Sequence, residues 1–217
     1  MQTLTEKVFK LSPPFGLFDG VVVRNLFPGS TEGSRKLLIN RAVKAREILR
    51  LKRGLFILAQ EYRKTTPHPY TVAALLHAPS HISLETALAF HGLIPEAVYQ
   101  VASVTTSRSR EFDTPLGYFT FYRVPLANPR SGVESIKLDE DSWVFIATPL
   151  RAIVDLLYLR NEVSWSVYGL EFLTESLRID TDDLQALDFT WYPEIVDGLR
   201  NKRVTTFLIE MKKALDL

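Results

Sequence analysis

The six residues Lys64-Thr65-Thr66-Pro67-His68-Pro69 constrain this chain more than any other stretch of it. Two prolines and two threonines favour extended or turn backbone and forbid a single helix from running through. The break predicts a domain boundary that divides the 217 residues into units of 1–64 and 65–217. Charge divides at the same place. Residues 1–64 hold thirteen Lys/Arg against five Asp/Glu, a net of +8, and residues 65–217 hold thirteen against twenty, a net of −7. The overall charge of +1 conceals both. Such an asymmetry points to a nucleic-acid-binding end.

The 46% of hydrophobic residues excludes disorder and a fibrous fold, and the absence of cysteine excludes disulfides, zinc fingers, iron–sulfur clusters and thiol nucleophiles together. No basic region leads into an apolar core and a cleavage site at the N-terminus, so no secretion signal is expected. The longest apolar runs, such as Val72–Leu76 and Trp143–Ala147, fall far short of the ~20 residues that span a bilayer. A soluble, cytoplasmic chain with no membrane partner is expected.

Within the basic unit, Asp19 is placed to cap a helix over Gly20–Leu26, and Phe27-Pro28-Gly29-Ser30 reads as a turn. A second helix should start near Thr31–Ser34 and run to about Arg46. At ~100° per residue, Leu38, Ala42 and Ala45 form its apolar side, with Lys36, Asn40 and Lys44 opposite, Leu37 and Val43 flanking these, and Arg41 at the edge. Arg35 falls on the apolar side, where its stem could lie along the surface and reach out. The apolar runs Ile48–Leu51 and Leu55–Leu58 around Lys52-Arg53-Gly54 read as a β-hairpin with a basic tip. Two short helices, a tight turn and a basic hairpin form a winged helix-turn-helix pattern, in which the second helix enters the major groove and the wing touches the backbone. The expected DNA-contacting residues are Ser34, Arg35, Lys36, Asn40, Arg41, Lys44, Arg50, Lys52 and Arg53.

The acidic unit should open with a helix over Tyr70–His77 and a turn at Pro79, followed by a helix Leu84–His91 with Ser83 as N-cap and Gly92 closing it. Gln100–Thr105, Gly117–Val124 and Trp143–Ala147 read as three strands. Thr148-Pro149 starts a helix over Leu150–Leu159. From about Ser166 the chain reads as mostly helical, with a cap at Asp180 and breaks at Pro193 and Gly198. The expected class is α+β (α/β): an N-terminal winged helix-turn-helix and a larger mixed domain with a helical C-terminus.

Chemistry-bearing motifs are sparse. His77 and His81 are four apart, but Pro79 between them denies a shared helical face, so no metal site is expected. His91 reads as a helix C-terminal residue rather than a base. Gly29-Ser-Thr-Glu-Gly33-Ser34-Arg35 has its glycines one residue too close for a phosphate loop and lacks the lysine. In Thr105–Gly117, Glu111 and Asp113 with Arg110 could hold Mg²⁺ for a nuclease, since hard cations take carboxylates. The alternative is a solvated loop whose charges, Arg108 and Arg110 with Glu111 and Asp113, pair locally. No downstream acid-x-Lys element completes a nuclease core, and Glu134-Ser-Ile-Lys137 has one residue too many.

The run from His91-Gly-Leu-Ile-Pro95 through Val104-Thr-Thr-Ser-Arg108 to Thr114-Pro-Leu-Gly117 closely resembles the central signature of the AbiEi-like family, the antitoxins of bacterial type IV toxin–antitoxin and abortive-infection systems. Ile82-Ser-Leu-Glu-Thr-Ala-Leu88 fits the same block. Glu47-Ile-Leu-Arg-Leu-Lys-Arg-Gly-Leu-Phe56 is similar to the family's winged-helix end, and Ala147-Thr-Pro149 with Asp155 to its C-terminal helix motif. Arg46 departs from the glycine expected ahead of Glu47-Ile48, and nothing after Ser166 matches. The resemblance implies a DNA-binding repressor of its own operon, paired with a nucleotidyltransferase-class toxin; the sparse motifs themselves lead to no expected cofactor and no expected catalytic residue. The resemblance also makes Arg108, Arg110, Glu111 and Asp113 a candidate toxin-facing surface. A single winged helix reads few base pairs, so operator inverted repeats are expected, occupied cooperatively by a chain that is monomeric in solution. The rival readings are the Mg²⁺-dependent nuclease or nucleotide-acting enzyme, and a stand-alone transcriptional regulator without a toxin.

Overall fold

A capping box starts the chain's first helix. The Thr3 hydroxyl accepts from the Glu6 amide at 3.2 Å, and the Glu6 carboxylate accepts from the Thr3 amide at 2.9 Å, which satisfies two amides that the helix α1 (Leu4–Leu11) would leave orphaned. The computed structural model describes residues 3–95, 100–139 and 142–217. After α1 come β1 (Leu17–Asp19), α2 (Gly20–Leu26), α3 (Glu32–Lys44), β2 (Ile48–Lys52) and β3 (Leu55–Leu58). Asp19 caps α2 as expected, its carboxylate accepting from the amides of Val21 and Val22 at 2.9 and 3.0 Å. Helix α3 ends two residues early, because Arg46 adopts the left-handed conformation (φ 58°) and turns the chain into β2. Ala45 is therefore an exposed C-cap and not part of the apolar stripe. The buried side of α3 is Ala42, with Leu38, Ile39 and Val43 packed beside it.

The three strands form an antiparallel sheet in the order β1-β3-β2, with the expected hairpin. Lys52 pairs with Leu55, so the turn is the two residues Arg53-Gly54 and not three. Gly54 has φ +83°, the region that glycine alone enters without strain. Alternation along the strands splits the sheet between two cores. Phe18, Ile48, Phe56 and Leu58 join Leu4, Val8 and Val23 beneath the helices. Leu51 and Ile57 point the other way, into the core of the following unit. The basic unit thus shares its sheet's second face with its neighbour.

The second unit continues with α4 (Pro69–Leu76), β4 (Ser80–Ile82), α5 (Leu84–Phe90), β5 (Val101–Thr105), β6 (Arg110–Thr114), β7 (Gly117–Arg123), β8 (Val133–Asp139) and β9 (Ser142–Ala147). Helices α6 (Pro149–Leu159), α7 (Trp165–Tyr168), α8 (Thr181–Gln185), α9 (Tyr192–Leu199) and α10 (Lys202–Ala214) follow, with a π-helical turn over Phe172–Ser176. The strands make one mixed sheet, β6-β7-β5-β4-β9-β8, with β5–β7 and β4–β9 parallel and the remaining pairs antiparallel. The class is α+β.

Six strands replace the three expected. The stretch Thr105–Gly117, read as a solvated connection, contains the edge strand β6, in which Phe112 packs edge-on against Phe121. β4 and β8 were also missed: β4 is only three residues long, and β8 carries exposed charges between its half-buried apolar residues. Pro193 and Gly198 do not break a helix; both lie within α9. Pro193 occupies its first turn, where a missing amide costs nothing, and Gly198 packs so closely that an added Cβ would stand 3.1 Å from Leu126. Thr148-Pro149 does start α6, and Leu150 to Leu157 of that helix are all buried. Residues 96–99, inside the signature-like run, lie outside the described residues.

Gly132 precedes β8 with φ +68°, and a Cβ there would meet the Arg151 Cβ at 2.9 Å and Ile195 at 3.0 Å. Gly132→Ala is expected to lower stability by more than about 1 kcal/mol, because it adds a steric clash to a left-handed conformation. A denaturant melt at matched m-value checks this, and an unchanged midpoint would contradict it.

Candidate functional site

Helix α3 presents two different surfaces to solvent. Arg35, Lys36 and Asn40 of α3 line a groove of about 500 Å³ whose other wall is the hairpin, with Arg50, Arg53, Gly54 and Phe56. Ser34 and Arg41 lie on the opposite side of the helix, in a separate groove of about 470 Å³ with Lys7, Phe27 and the 58%-exposed Leu37. Lys44 is exposed near the helix C-terminus. The nine expected residues therefore do not form one surface. Five converge on the hairpin groove, Ser34 and Arg41 lie behind it, Lys44 is at the helix end, and Lys52 is engaged elsewhere.

Local bonds hold the groove in shape. The guanidinium of Arg50 lies over the Phe56 ring, 5.7 Å from its centroid, and donates to Asn40 Oδ1 at 3.3 Å, so it links β2 to α3. Arg35 donates to the Ser30 carbonyl and ties the helix to its preceding turn, which accounts for its place on the less exposed side. Lys36 pairs with Glu32 at 2.7 Å. Both side chains are at least 70% exposed, so the pair contributes little and can open to an incoming anion. It also holds the Glu32 carboxyl below its ordinary range, through the Lys36 hydrogen bond first and its charge second. Glu32 is the one carboxylate lining this groove, against four cationic side chains.

Lys52 leaves the hairpin tip. Its ammonium donates to the carbonyls of Leu75 and Leu76, each at 2.8 Å, and so satisfies the C-terminal end of α4. Burial, and then the charge of Arg110, lower its pKa. Lys52→Met is expected to cost roughly 1 kcal/mol of stability. A melting midpoint unchanged in that variant would return Lys52 to a purely surface role.

A cluster of buried polar groups that the sequence does not announce lies in the second unit. Asp155 of α6 is fully buried and accepts from Arg151 Nε at 2.9 Å and from Ser83 Oγ at 2.7 Å. His81 Nε2 stands 3.5 Å from the same carboxylate, outside hydrogen-bond alignment. Arg151, also buried, donates to the Ser131 carbonyl at 2.8 Å. Ser83 sits at the N-cap position of α5, but its hydroxyl serves Asp155 instead of the helix amides. Burial raises the Asp155 carboxyl, but the charge of Arg151 and the His81 and Ser83 contacts outweigh it and leave the carboxyl below its ordinary range. Burial lowers His81, although Asp155 pulls the other way. The i, i+4 spacing of Arg151 and Asp155 was legible; that this face would be buried was not.

His91 is the C-cap of α5, as expected, and its ring bonds the Ala147 carbonyl at 2.9 Å. His77 bonds the Arg108 carbonyl at 3.0 Å and His81 lies on β4, so the two histidines face different partners. Glu111 and Asp113 alternate onto one face of β6, both exposed, and the Glu111 carboxylate accepts from the Tyr118 hydroxyl. Among the described residues no group of three or more His, Asp or Glu could hold a metal ion, and no helix is long and apolar enough to cross a membrane. Compared with known protein families and with curated proteins, the chain matches none.

Proposed function

We propose that this chain is a double-stranded DNA-binding transcriptional regulator of the winged-helix type. The observation that carries the reading is the groove between α3 and the hairpin, where Arg35, Lys36, Arg50 and Arg53 surround Asn40. The element order α1-β1-α2-α3-β2-β3 with strand order β1-β3-β2, and the four-residue turn before Thr31, support it, because a winged helix-turn-helix is built in this way. Exposed cations contact phosphates without regard to sequence, and an amide can pair bidentately with adenine. Asn40 already accepts from Arg50, so the two act as one reading unit whose geometry β2 sets.

The antitoxin role rests on the resemblance of Ile82–Leu88, His91–Gly117 and Ala147–Asp155 to the AbiEi-like family. On that reading the chain represses its own operon at inverted repeats, neutralises a nucleotidyltransferase-class toxin, and presents Arg108, Arg110, Glu111 and Asp113, on and beside β6, to that partner. That role requires no catalytic site. The exposed Glu111 and Asp113 lack the dry shell that a metal-assisted nuclease needs. In the buried cluster the Ser83 hydroxyl bonds a carboxylate and not an imidazole, so no nucleophile–base pair forms.

Fluorescence anisotropy with duplex DNA from immediately upstream of the gene tests the reading. Binding should weaken linearly in log–log salt at about 0.9 per phosphate contact. Asn40→Ala should flatten the preference between upstream and scrambled duplexes while leaving the salt slope unchanged. Salt-insensitive binding, or no binding, would refute it.

A further inference from the structure

We propose that the cavity beside His81 and Arg151 is a binding site for a small, flat, mostly apolar carboxylate, placed to act on the hairpin through α4. The cavity measures about 630 Å³, within the ~300–1,000 Å³ typical of small-molecule sites. Its walls are largely apolar, with Ala74, Val104 and Phe145 among them. Its charged lining is all of one kind. The two charged side chains that face it are Arg130 and Arg151, and no carboxylate lines it. Asp155, which neutralises Arg151, lies behind the cavity wall. The guanidinium of Arg130 stacks 5.4 Å from the centre of the Phe145 ring at the exposed rim, a surface suited to a flat ring bearing an anionic group. His81, only 8% exposed, has its Nε2 3.5 Å from the Asp155 carboxylate, which leaves the Arg130 guanidinium at the rim as the group open to an incoming carboxylate.

The cavity's position suggests what occupancy does. Ala74 lies in the last turns of α4 and Ala78 just beyond it, so both flank the cavity next to Leu75 and Leu76, whose carbonyls hold Lys52 of β2. A ligand pressing on this turn changes the acceptor pair on which the hairpin is anchored. The coupling rests on the nucleic-acid reading; ligand binding by itself does not.

Calorimetric titration of the full chain with 1-naphthoate tests the site without DNA. One equivalent should bind saturably, and uncharged 1-naphthalenemethanol should bind about ten-fold more weakly, the worth of a charge-assisted hydrogen bond. Ala74→Trp, at the exposed mouth, should abolish binding without changing the far-UV circular dichroism, and Arg130→Gln should weaken the carboxylate but not the alcohol. No saturable binding, equal affinity for the two compounds, or undiminished binding in Ala74→Trp would overturn the site. Saturating 1-naphthoate should then shift duplex affinity several-fold in the wild type and not in Lys52→Met. An unchanged duplex affinity with the ligand bound would overturn the coupling. Absence of duplex binding with and without ligand would instead overturn the nucleic-acid reading and leave the cavity result standing.

Discussion

Replacing Lys36, Lys44 and Arg53 together by Glu is expected to abolish measurable duplex binding while leaving the fold intact. All three side chains are exposed, and none of them anchors another element: Lys36 pairs only within α3, Lys44 ends that helix, and Arg53 forms the hairpin turn. If each contacts one phosphate, their loss reduces the log–log salt slope by about 2.7, and charge reversal adds repulsion to the remaining contacts. The same reversal at Lys137, Lys202 and Lys213, also exposed but in the acidic unit, holds net charge equal and should leave most of the affinity. Anisotropy at two salt concentrations distinguishes the variants. Equal losses in both triple variants would show that only bulk charge matters and that the groove has no special role.

The second large effect is on stability. Asp155→Ala removes the counter-charge of a guanidinium that is 1% exposed, and breaking a buried pair in this way costs about 3–5 kcal/mol. For a chain of this size that is a large share of the total, so the variant should melt far below the wild type or fail to fold. Replacing both partners, as Arg151→Met with Asp155→Leu, should recover most of the loss, because no charge is then left unpaired. If the double variant is as unstable as the single one, the pair stabilises through its other bonds, to Ser83 and the Ser131 carbonyl.

This cluster also sets the response to acid. The folded state keeps His81 neutral through burial, whereas the unfolded chain takes up a proton near the ordinary imidazole value of 6.5. Below that pH the unfolded state binds more protons, so stability falls as pH drops. His68, lowered chiefly by burial against the opposing pull of Asp139, adds in the same sense. Asp155 contributes stability above the ordinary carboxyl range and loses it as pH falls through its depressed folded value. Denaturant midpoints should therefore drop between pH 7 and 5.5, and the drop should shrink in His81→Gln. A rise over that interval would contradict the buried neutral imidazole.

The sequence by itself determined the elements whose signals are local. Asp19 caps α2, Gly54 permits the hairpin turn, Thr148-Pro149 opens α6 and Asp180 caps α8, because each depends on bonds within three residues. The capping box at Thr3-Leu4-Thr5-Glu6 is equally local. One hint of tertiary packing was legible too. Leu55-Phe56-Ile57-Leu58 is apolar at every position, which a hairpin with one wet face does not need; both faces are in fact covered, Phe56 and Leu58 by the basic unit and Ile57 by the acidic one.

Contacts between distant segments were decided by the tertiary structure alone. Nothing near Lys52 announces that its ammonium will meet the carbonyls of Leu75 and Leu76, and it was read as a wing contact because a charged residue at a hairpin tip usually faces solvent. The edge strand β6 is polar enough to pass for a loop until β7 pairs with it. Ser83 lies 72 residues from Asp155 in the chain, and His81 comes into the same cluster only because β4 lies between β5 and β9. Local bonds are set by neighbours in sequence, whereas a buried charge is tolerated only where the whole fold brings its partners to it, and no stretch of sequence states that in advance.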